Sequence, residues 1–310
     1  FTLELFSQAN RQPKDKKMTI FKGYYTALIT PFSNGAIDEK SYSNFVEWQI
    51  SEGASGLVPC GTTGESPTLS HSEHMRVTEL CVEVSNGRVP VIAGSGSNST
   101  AEAVELTLHA KAAGADGALL VMPYYNKPTQ EGMYRHYMTI ADAVDIPQII
   151  YNIPGRCVVN MSVETMARLA NHPNIAGVKD ATADLTIPSL LRSACGDNFV
   201  QFSGEDGTAI GFLAQGGHGV ISVTANVAPR QCSDFFSAWS LGDMSKALEL
   251  HQNLMPLHNT LFLESNPIPV KYALSLMGHC GPELRLPLCE PNEANAKIIK
   301  DTLHACGLFH

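Results

Sequence analysis

Eight times along the chain a short, apolar, β-rich run is followed by an amphipathic helical stretch, and no other feature narrows the fold as far. The runs occupy residues 25–30, 56–60, 90–94, 117–122, 147–152, 175–179, 199–203 and 219–223. Stretches such as Ala118-Leu119-Leu120-Val121 and Gln148-Ile149-Ile150-Tyr151 are nearly continuous in apolar residues, as strands covered on both faces must be. Eight β-α repeats without a long break predict a closed parallel (β/α)8 barrel, that is, a TIM-type α/β fold, rather than an open doubly wound sheet. After the eighth run the pattern is helical only, over residues 232–241, 244–262, 269–277 and 292–304. The expected division is a catalytic barrel over 18–242 and a C-terminal helical domain over 243–310.

The helices carry their own start and stop signals. Ser70-His71-Ser72-Glu73 and Ser99-Thr100-Ala101-Glu102 read as capping boxes, in which a hydroxyl and a carboxylate satisfy the first free N–H groups. Asp38 and Thr129 read as simpler N-caps, and Gly87, Gly114 and Gly196 stand near helix ends. Residues 1–17 differ from the rest: a brief apolar start is followed by Arg11, Lys14, Lys16 and Lys17. A signal peptide has its charges before the apolar stretch, so this segment is expected to be an upstream leader or a cloning remnant.

Composition removes several function classes. The formal net charge is -9 with the basic residues scattered, which does not make the basic face that nucleic acid requires. No segment reaches the ~18 to 20 unbroken apolar residues of a membrane span. The eight cysteines run from Cys60 to Cys306 without a Cys-x-x-Cys pair, which disfavours zinc ribbons and redox dithiols and fits a reducing, cytoplasmic compartment.

In a barrel of this type the chemistry sits at the C-terminal ends of the strands, and the unusual residues of this chain collect there. The second run leads into Gly61-Thr62-Thr63-Gly64-Glu65-Ser66, the fourth into Pro123-Tyr124-Tyr125-Asn126, the fifth into Tyr151-Asn152-Ile153-Pro154-Gly155-Arg156, the sixth into Lys179-Asp180 and the seventh into Ser203-Gly204-Glu205-Asp206. Lys179 closes an apolar run. Desolvation of its ammonium would lower the pKa and free the amine to attack a ketone; the alternative is a lysine paired with Asp180 or another carboxylate. Thr62 and Thr63 lie in a glycine-flanked turn suited to a carboxylate, or are threonines satisfying a plain turn. Tyr151 is placed for proton relay, or is a core tyrosine. Arg156 has the planar fork for a second carboxylate, or is a surface arginine.

Other signals carry less. Gly94-Ser95-Gly96 lacks the third glycine of a dinucleotide loop, and His71-Ser72-Glu73-His74 has its histidines three apart, which is not a zincin spacing. Gly216-Gly217-His218-Gly219 resembles a phosphate loop but precedes the eighth run and so belongs to the opposite face. No metal and no cofactor, pyridoxal phosphate included, is expected.

On the motifs Gly61-Thr62-Thr63-Gly64-Glu65-Ser66, Pro123-Tyr124-Tyr125-Asn126, the stretch from Gly216 to Asn226, and Asn266-Pro267-Ile268-Pro269-Val270-Lys271, the chain resembles the dihydrodipicolinate synthase family of the N-acetylneuraminate lyase superfamily. The resemblance runs from Met18 to the C-terminus. It implies that Lys179 forms an imine with pyruvate, whose enamine attacks aspartate β-semialdehyde to give 4-hydroxy-tetrahydrodipicolinate on the lysine and diaminopimelate route. It implies a relay of Tyr151, Thr62 and Tyr125, the last from a neighbouring subunit. Thr63 would bind the pyruvate carboxylate and Arg156 that of the semialdehyde, with Gly204 and Ile221 as backbone contacts around the imine. It implies a homotetramer of two tight dimers and, in feedback-regulated members, a lysine site here matched by Ser66, Pro67, His71, His74, Asn98, Glu102 and Tyr124. Asn266 and its neighbours are family landmarks outside the catalytic set. Two positions depart from the family: Cys157-Val158 replaces a common Thr-Gly, and Ala183 replaces a common glycine. The alternatives are a pyruvate-dependent sugar-acid aldolase of the N-acetylneuraminate lyase type, which would not need Thr62, Thr63, Tyr125 and Arg156 together, and a barrel that binds oxo acids without turnover.

Overall fold

The computed structural model describes residues 21–309; the leader expected over residues 1–17 lies outside them. Eight parallel strands, β1 (Gly23–Ala27), β2 (Gly56–Val58), β3 (Ile92–Gly94), β4 (Gly117–Val121), β5 (Gln148–Asn152), β6 (Ile175–Asp180), β7 (Val200–Ser203) and β8 (Gly219–Ser222), alternate with helices. The helices are α1 (Glu39–Ser51), α2 (His71–Ser85), α3 (Thr100–Ala113), α4 (Gln130–Ala143), α5 (Val163–Leu169), α6 (Ile187–Cys195), α7 (Ala209–Ala214) and α8 (Pro229–Ser240). Three more, α9 (Met244–Thr260), α10 (Ile268–Leu276) and α11 (Glu293–Ala305), follow the last strand. A short hairpin pairs Phe32–Ser33 with Ala36–Ile37.

All eight expected strands are present. The first is shifted: it begins at Gly23 and ends at Ala27, because the Ile29 N–H turns to the Asn226 side chain at 3.2 Å instead of continuing the ladder. Strand order runs β2-β1-β8-β7-β6-β5-β4-β3. The cylinder closes between β2 and β3 through one parallel bridge, Leu57 to Val91, helped by Leu57 N–H to Pro90 O (3.0 Å) and Gly94 N–H to Pro59 O (2.9 Å). Glycine is required at this seam: a Cβ on Gly94 would lie 2.2 Å from the Cys60 carbonyl oxygen.

Inward-facing side chains fill the barrel as a packed core, among them Tyr25, Val58, Ile92, Leu119, Ile149, Tyr151, Phe202 and Ile221. Edge-on aromatic contacts of Tyr25 with Phe21 (6.4 Å) and Phe202 (5.0 Å) fill the end where the strands begin. The Gly216-Gly217-His218-Gly219 stretch is at that same end, with the His218 carbonyl accepting from Gly23 N–H, as its place in the sequence predicts. α9, α10 and α11 share one hydrophobic cluster with α1, α2 and α8 through Ala247, Leu254, Val270, Leu274, Ile299 and Leu303, so the helical extension is packed onto the barrel wall. Among the described residues no helix is long and apolar enough to cross a membrane.

The Ser70 capping box forms in full, with Glu73 N–H to Ser70 Oγ at 3.3 Å and Ser70 N–H to Glu73 Oε2 at 2.8 Å. Asp38 and Thr129 cap their helices. The second expected box, at Ser99, does not form. The Ser97 hydroxyl accepts the Ser99 N–H at 2.9 Å, which is the bond Glu102 would have made, and Glu102 turns instead to Ser97 and His71.

Candidate active site

A single irregularity in strand pairing sets the central geometry. β5 and β6 begin in register at Gln148 and Ile175, then slip by one residue, so that Ile149 pairs with Gly177 and Tyr151 with Lys179. Without the slip Tyr151 would face Val178, and the alternation of strand side chains would turn Lys179 toward the helices. On the other side of β6, Gly177 permits close pairing with β7, since a Cβ there would sit 2.1 Å from Val200 O. The result places the Lys179 amine over the Tyr151 ring, 4.2 Å from its centre.

Lys179 is 6% exposed. Burial pulls its pKa down to about 8, against the opposing pull of the Asp206 and Glu205 carboxylates, with Arg156 adding to the depression. A large neutral fraction near pH 8 makes the amine a nucleophile. Tyr151, also buried, has its hydroxyl pKa raised by desolvation; Arg156 and a hydrogen bond to the Thr62 hydroxyl work against that rise. Gly204 packs on the lysine stem, where a Cβ would approach Lys179 Cε to 3.1 Å. Ile221 is buried in the barrel interior on β8.

Sequence reasoning gave Asp206 no role, yet its carboxylate is a hub beneath this site. It accepts from the Tyr24 hydroxyl (3.0 Å), the Ser222 hydroxyl (2.5 Å), Val223 N–H (2.9 Å) and Thr224 N–H (3.1 Å). Four donors stabilise a buried negative charge, and that charge supports the protonated form of Lys179. The signal in the sequence was the acidic pair after Gly204 at the end of β7.

The loop after β2 spends the N–H groups of Gly64, Glu65 and Ser66 on its own carbonyls at Gly61 and Thr62. The N–H groups of Thr62 and Thr63 have no such partner among the described residues, so they and the two hydroxyls are left to set its chemistry. Glu65, in a left-handed conformation with φ 55°, pins the loop from below. Its carboxylate takes the Lys271 ammonium at 2.6 Å and the Arg285 N–H at 3.1 Å, and both side chains of the ion pair are fully buried. Thr63 is buried, and its Oγ1 accepts from Asn266 Nδ2 at 2.9 Å. Arg156, exposed on the helical turn Pro154–Cys157, donates from Nη2 to the Asn266 carbonyl at 3.2 Å. Asn266, set aside from the catalytic set on sequence grounds, therefore touches both candidate carboxylate binders.

A cavity of about 500 Å³ opens from Thr62, Tyr151 and Arg156 and runs on to Ser66, Pro67, His71, His74, Glu102 and Tyr124. Asn98 joins this group through its side-chain bond to the Tyr124 carbonyl, 3.2 Å. His71 Nε2 is 2.7 Å from Glu102 Oε1, and burial brings the pKa of His74 down to about 4. Tyr125 is different: it is 91% exposed and is not part of the cavity wall within one chain. Its backbone has φ 70°. The two departures from the family pattern both fall where a side chain is costly, with Val158 at φ 66° and Ala183 at φ 59°.

Comparison with known proteins finds similar sequences and similar folds. The model of the Dihydrodipicolinate synthetase family matches residues 20–306. A 4-hydroxy-tetrahydrodipicolinate synthase from Rhodospirillum centenum is 61% identical over 290 residues, covering 94% of this chain and all of the relative. Among solved structures, the chloride-inhibited dihydrodipicolinate synthase of Acinetobacter baumannii complexed with pyruvate superposes with a TM-score of 0.91 at 46% identity, over 93% of this chain and 100% of that one. A DHDPS from Cyanidioschyzon merolae with lysine bound gives 0.90 at 36% identity, over 94% and 99%.

Proposed function

This chain belongs to the dihydrodipicolinate synthetase family, and from that premise we infer that it condenses pyruvate with aspartate β-semialdehyde to form 4-hydroxy-tetrahydrodipicolinate, a lyase step of lysine and diaminopimelate biosynthesis. The observation that carries this reading is the Lys179 amine, buried at the end of β6 with its pKa down to about 8 and lying over Tyr151. The neutral amine adds to the ketone carbon of pyruvate, and loss of water from the adduct leaves an imine. Removal of a proton from the methyl group gives an enamine, whose carbon bonds to the aldehyde carbon of the second substrate. The amino group of that substrate then attacks the imine carbon, closes the ring and releases Lys179. Tyr151 and Thr62 carry protons in these steps, Thr63 holds the carboxylate of pyruvate, and Arg156 holds that of the semialdehyde. Gly204 and Ile221 contribute their backbone around the imine.

Tyr125 completes the relay from a neighbouring subunit, in a homotetramer built from two tight dimers; its 91% exposure in one chain supports that assignment. Free lysine acts as feedback inhibitor in the part of the cavity lined by Ser66, Pro67, His71, His74, Glu102 and Tyr124, with Asn98 behind them. The eight free thiols fit a cytoplasmic enzyme.

Borohydride reduction in the presence of pyruvate tests the core of this reading. The expected outcome is a covalent adduct on the peptide containing Lys179, together with turnover of pyruvate plus semialdehyde and no cleavage of N-acetylneuraminate. An adduct on another lysine, or none in active enzyme, overturns the assignment.

A further inference from the structure

We propose that Asn266 is a positioning residue that fixes the direction of the Thr63 hydroxyl proton, and so sets the affinity for the 2-oxo acid. The inference rests on the reading of Thr63 as the group that holds the carboxylate of pyruvate.

A threonine hydroxyl has one proton to give and lone pairs to receive with, and left alone it rotates to suit its surroundings. Here it is not left alone. Asn266 Nδ2 lies 2.9 Å from Thr63 Oγ1, and both residues are buried. The amide nitrogen is only a donor, so Thr63 Oγ1 is compelled to accept from it. The hydroxyl proton is thereby released for a different acceptor, and an incoming carboxylate takes it.

Two further facts separate this role from plain packing. The Asn266 Oδ1 atom is buried with no hydrogen-bond partner among the described residues. Among the described residues the side-chain bond of this amide goes to Thr63. The contact with Arg156 runs through the Asn266 backbone carbonyl, at 3.2 Å. Changing the side chain therefore removes the bond to Thr63 and leaves the anchor of Arg156 in place, so the effects on the two substrates separate.

The experiment is steady-state kinetics with each substrate varied, alongside titration of pyruvate in the borohydride trap. The variants are Asn266→Ala, Asn266→Asp, Thr63→Val and the double variant Asn266→Ala with Thr63→Val. Asn266→Ala is expected to raise the pyruvate KM and the trapping midpoint by ~10- to 100-fold, the range of a hydrogen bond to a charged group. The semialdehyde KM should stay within about twofold and kcat at saturating pyruvate close to the parent value. Asn266→Asp keeps the shape of the side chain but accepts the Thr63 proton and adds a negative charge, so it should bind pyruvate more weakly than Asn266→Ala. In the Thr63→Val background, Asn266→Ala should cost nothing more. Equal rises in both KM values, additive losses in the double variant, or pyruvate binding by Asn266→Asp as tight as by Asn266→Ala would each overturn the proposal. Failure of the imine reading itself is distinguishable, because the parent enzyme would then give no pyruvate adduct on Lys179.

Discussion

Replacing Lys271 by methionine should destabilise the protein far more than a typical substitution. The Lys271 ammonium lies 2.6 Å from Glu65 Oε1, with neither side chain exposed to water, and sits 4.0 Å over the Phe32 ring. At that distance and an effective dielectric of ~20 the attraction is about 6 kcal/mol before desolvation is counted. Removing one partner does not simply forfeit the pair. It strands the Glu65 carboxylate in a site where, among the described residues, the Arg285 N–H is the one hydrogen-bond donor left to it, at 3.1 Å. The expected loss is about 3 to 5 kcal/mol. Adding Glu65→Gln should recover more than half of it, because the amide oxygen can still accept from Arg285 while the stranded charge is gone. Urea unfolding followed by tryptophan fluorescence is a suitable assay, since Trp48 and Trp239 both pack on the cluster shared by the barrel wall and the C-terminal helices. A Lys271→Met protein within about 1 kcal/mol of the parent, or a double variant no more stable than the single one, would refute the argument.

Further outcomes follow from the site. Because burial holds Lys179 at a pKa of about 8, below the ordinary lysine value of 10.5, kcat/KM for pyruvate should fall on the acid side with a midpoint near 8, and Asp206→Asn should move that limb to lower pH. The same depression means that the unfolded chain binds the extra proton between about 8 and 10.5, so this group makes stability rise with pH across that window, by about 3 kcal/mol in all; a pH-independent Lys179→Met difference would contradict it. Val158→Gly should relieve a β-branched residue at φ 66°, stabilising by about 1 kcal/mol after the added unfolded-state entropy and leaving kcat unchanged; a lower melting temperature would show that the strain was misread. Arg156→Ala should weaken the semialdehyde much more than pyruvate in separate KM measurements. Lysine should inhibit the parent at subsaturating pyruvate and lose that effect in Glu102→Ala, with undiminished inhibition in the variant counting against the effector site.

The barrel was legible in the sequence because its strands are buried on both faces and so announce themselves as unbroken apolar runs. Lys179, Thr62, Thr63, Tyr151 and Arg156 were legible because the fold puts strand ends in one place. What escaped the sequence depends on contacts between distant segments. The slip that brings Lys179 opposite Tyr151 is a property of two strands together, and neither run discloses it alone. The Ser99 box failed because Ser97, two residues upstream, competes for the same N–H. Asn266 was set aside because it follows no barrel strand, yet the chain after α9 returns to the mouth and brings it against Thr63. Asp206 read only as a charge at a strand end, since its four donors come from β1, β8 and the turn after β8.

The seam of the barrel has a mechanical consequence. β5 and β6 are laced along their length, whereas β2 and β3 are tied by the bridge from Leu57 to Val91 and the bond from Gly94 N–H to Pro59 O. The cavity straddles this weak joint, with Gly61 and Thr62 rising from one side and Gly94 and Gly96 lining the other. Hydrogen-bond ladders resist shear between neighbouring staves, and a joint held by the bonds from Leu57 N–H to Pro90 O and from Gly94 N–H to Pro59 O gives more readily than the laced β5–β6 pair. A ligand that touches both banks acts as a removable rung: it stiffens the ring while bound, and its departure returns the slack to the loop that carries Thr62 and Thr63.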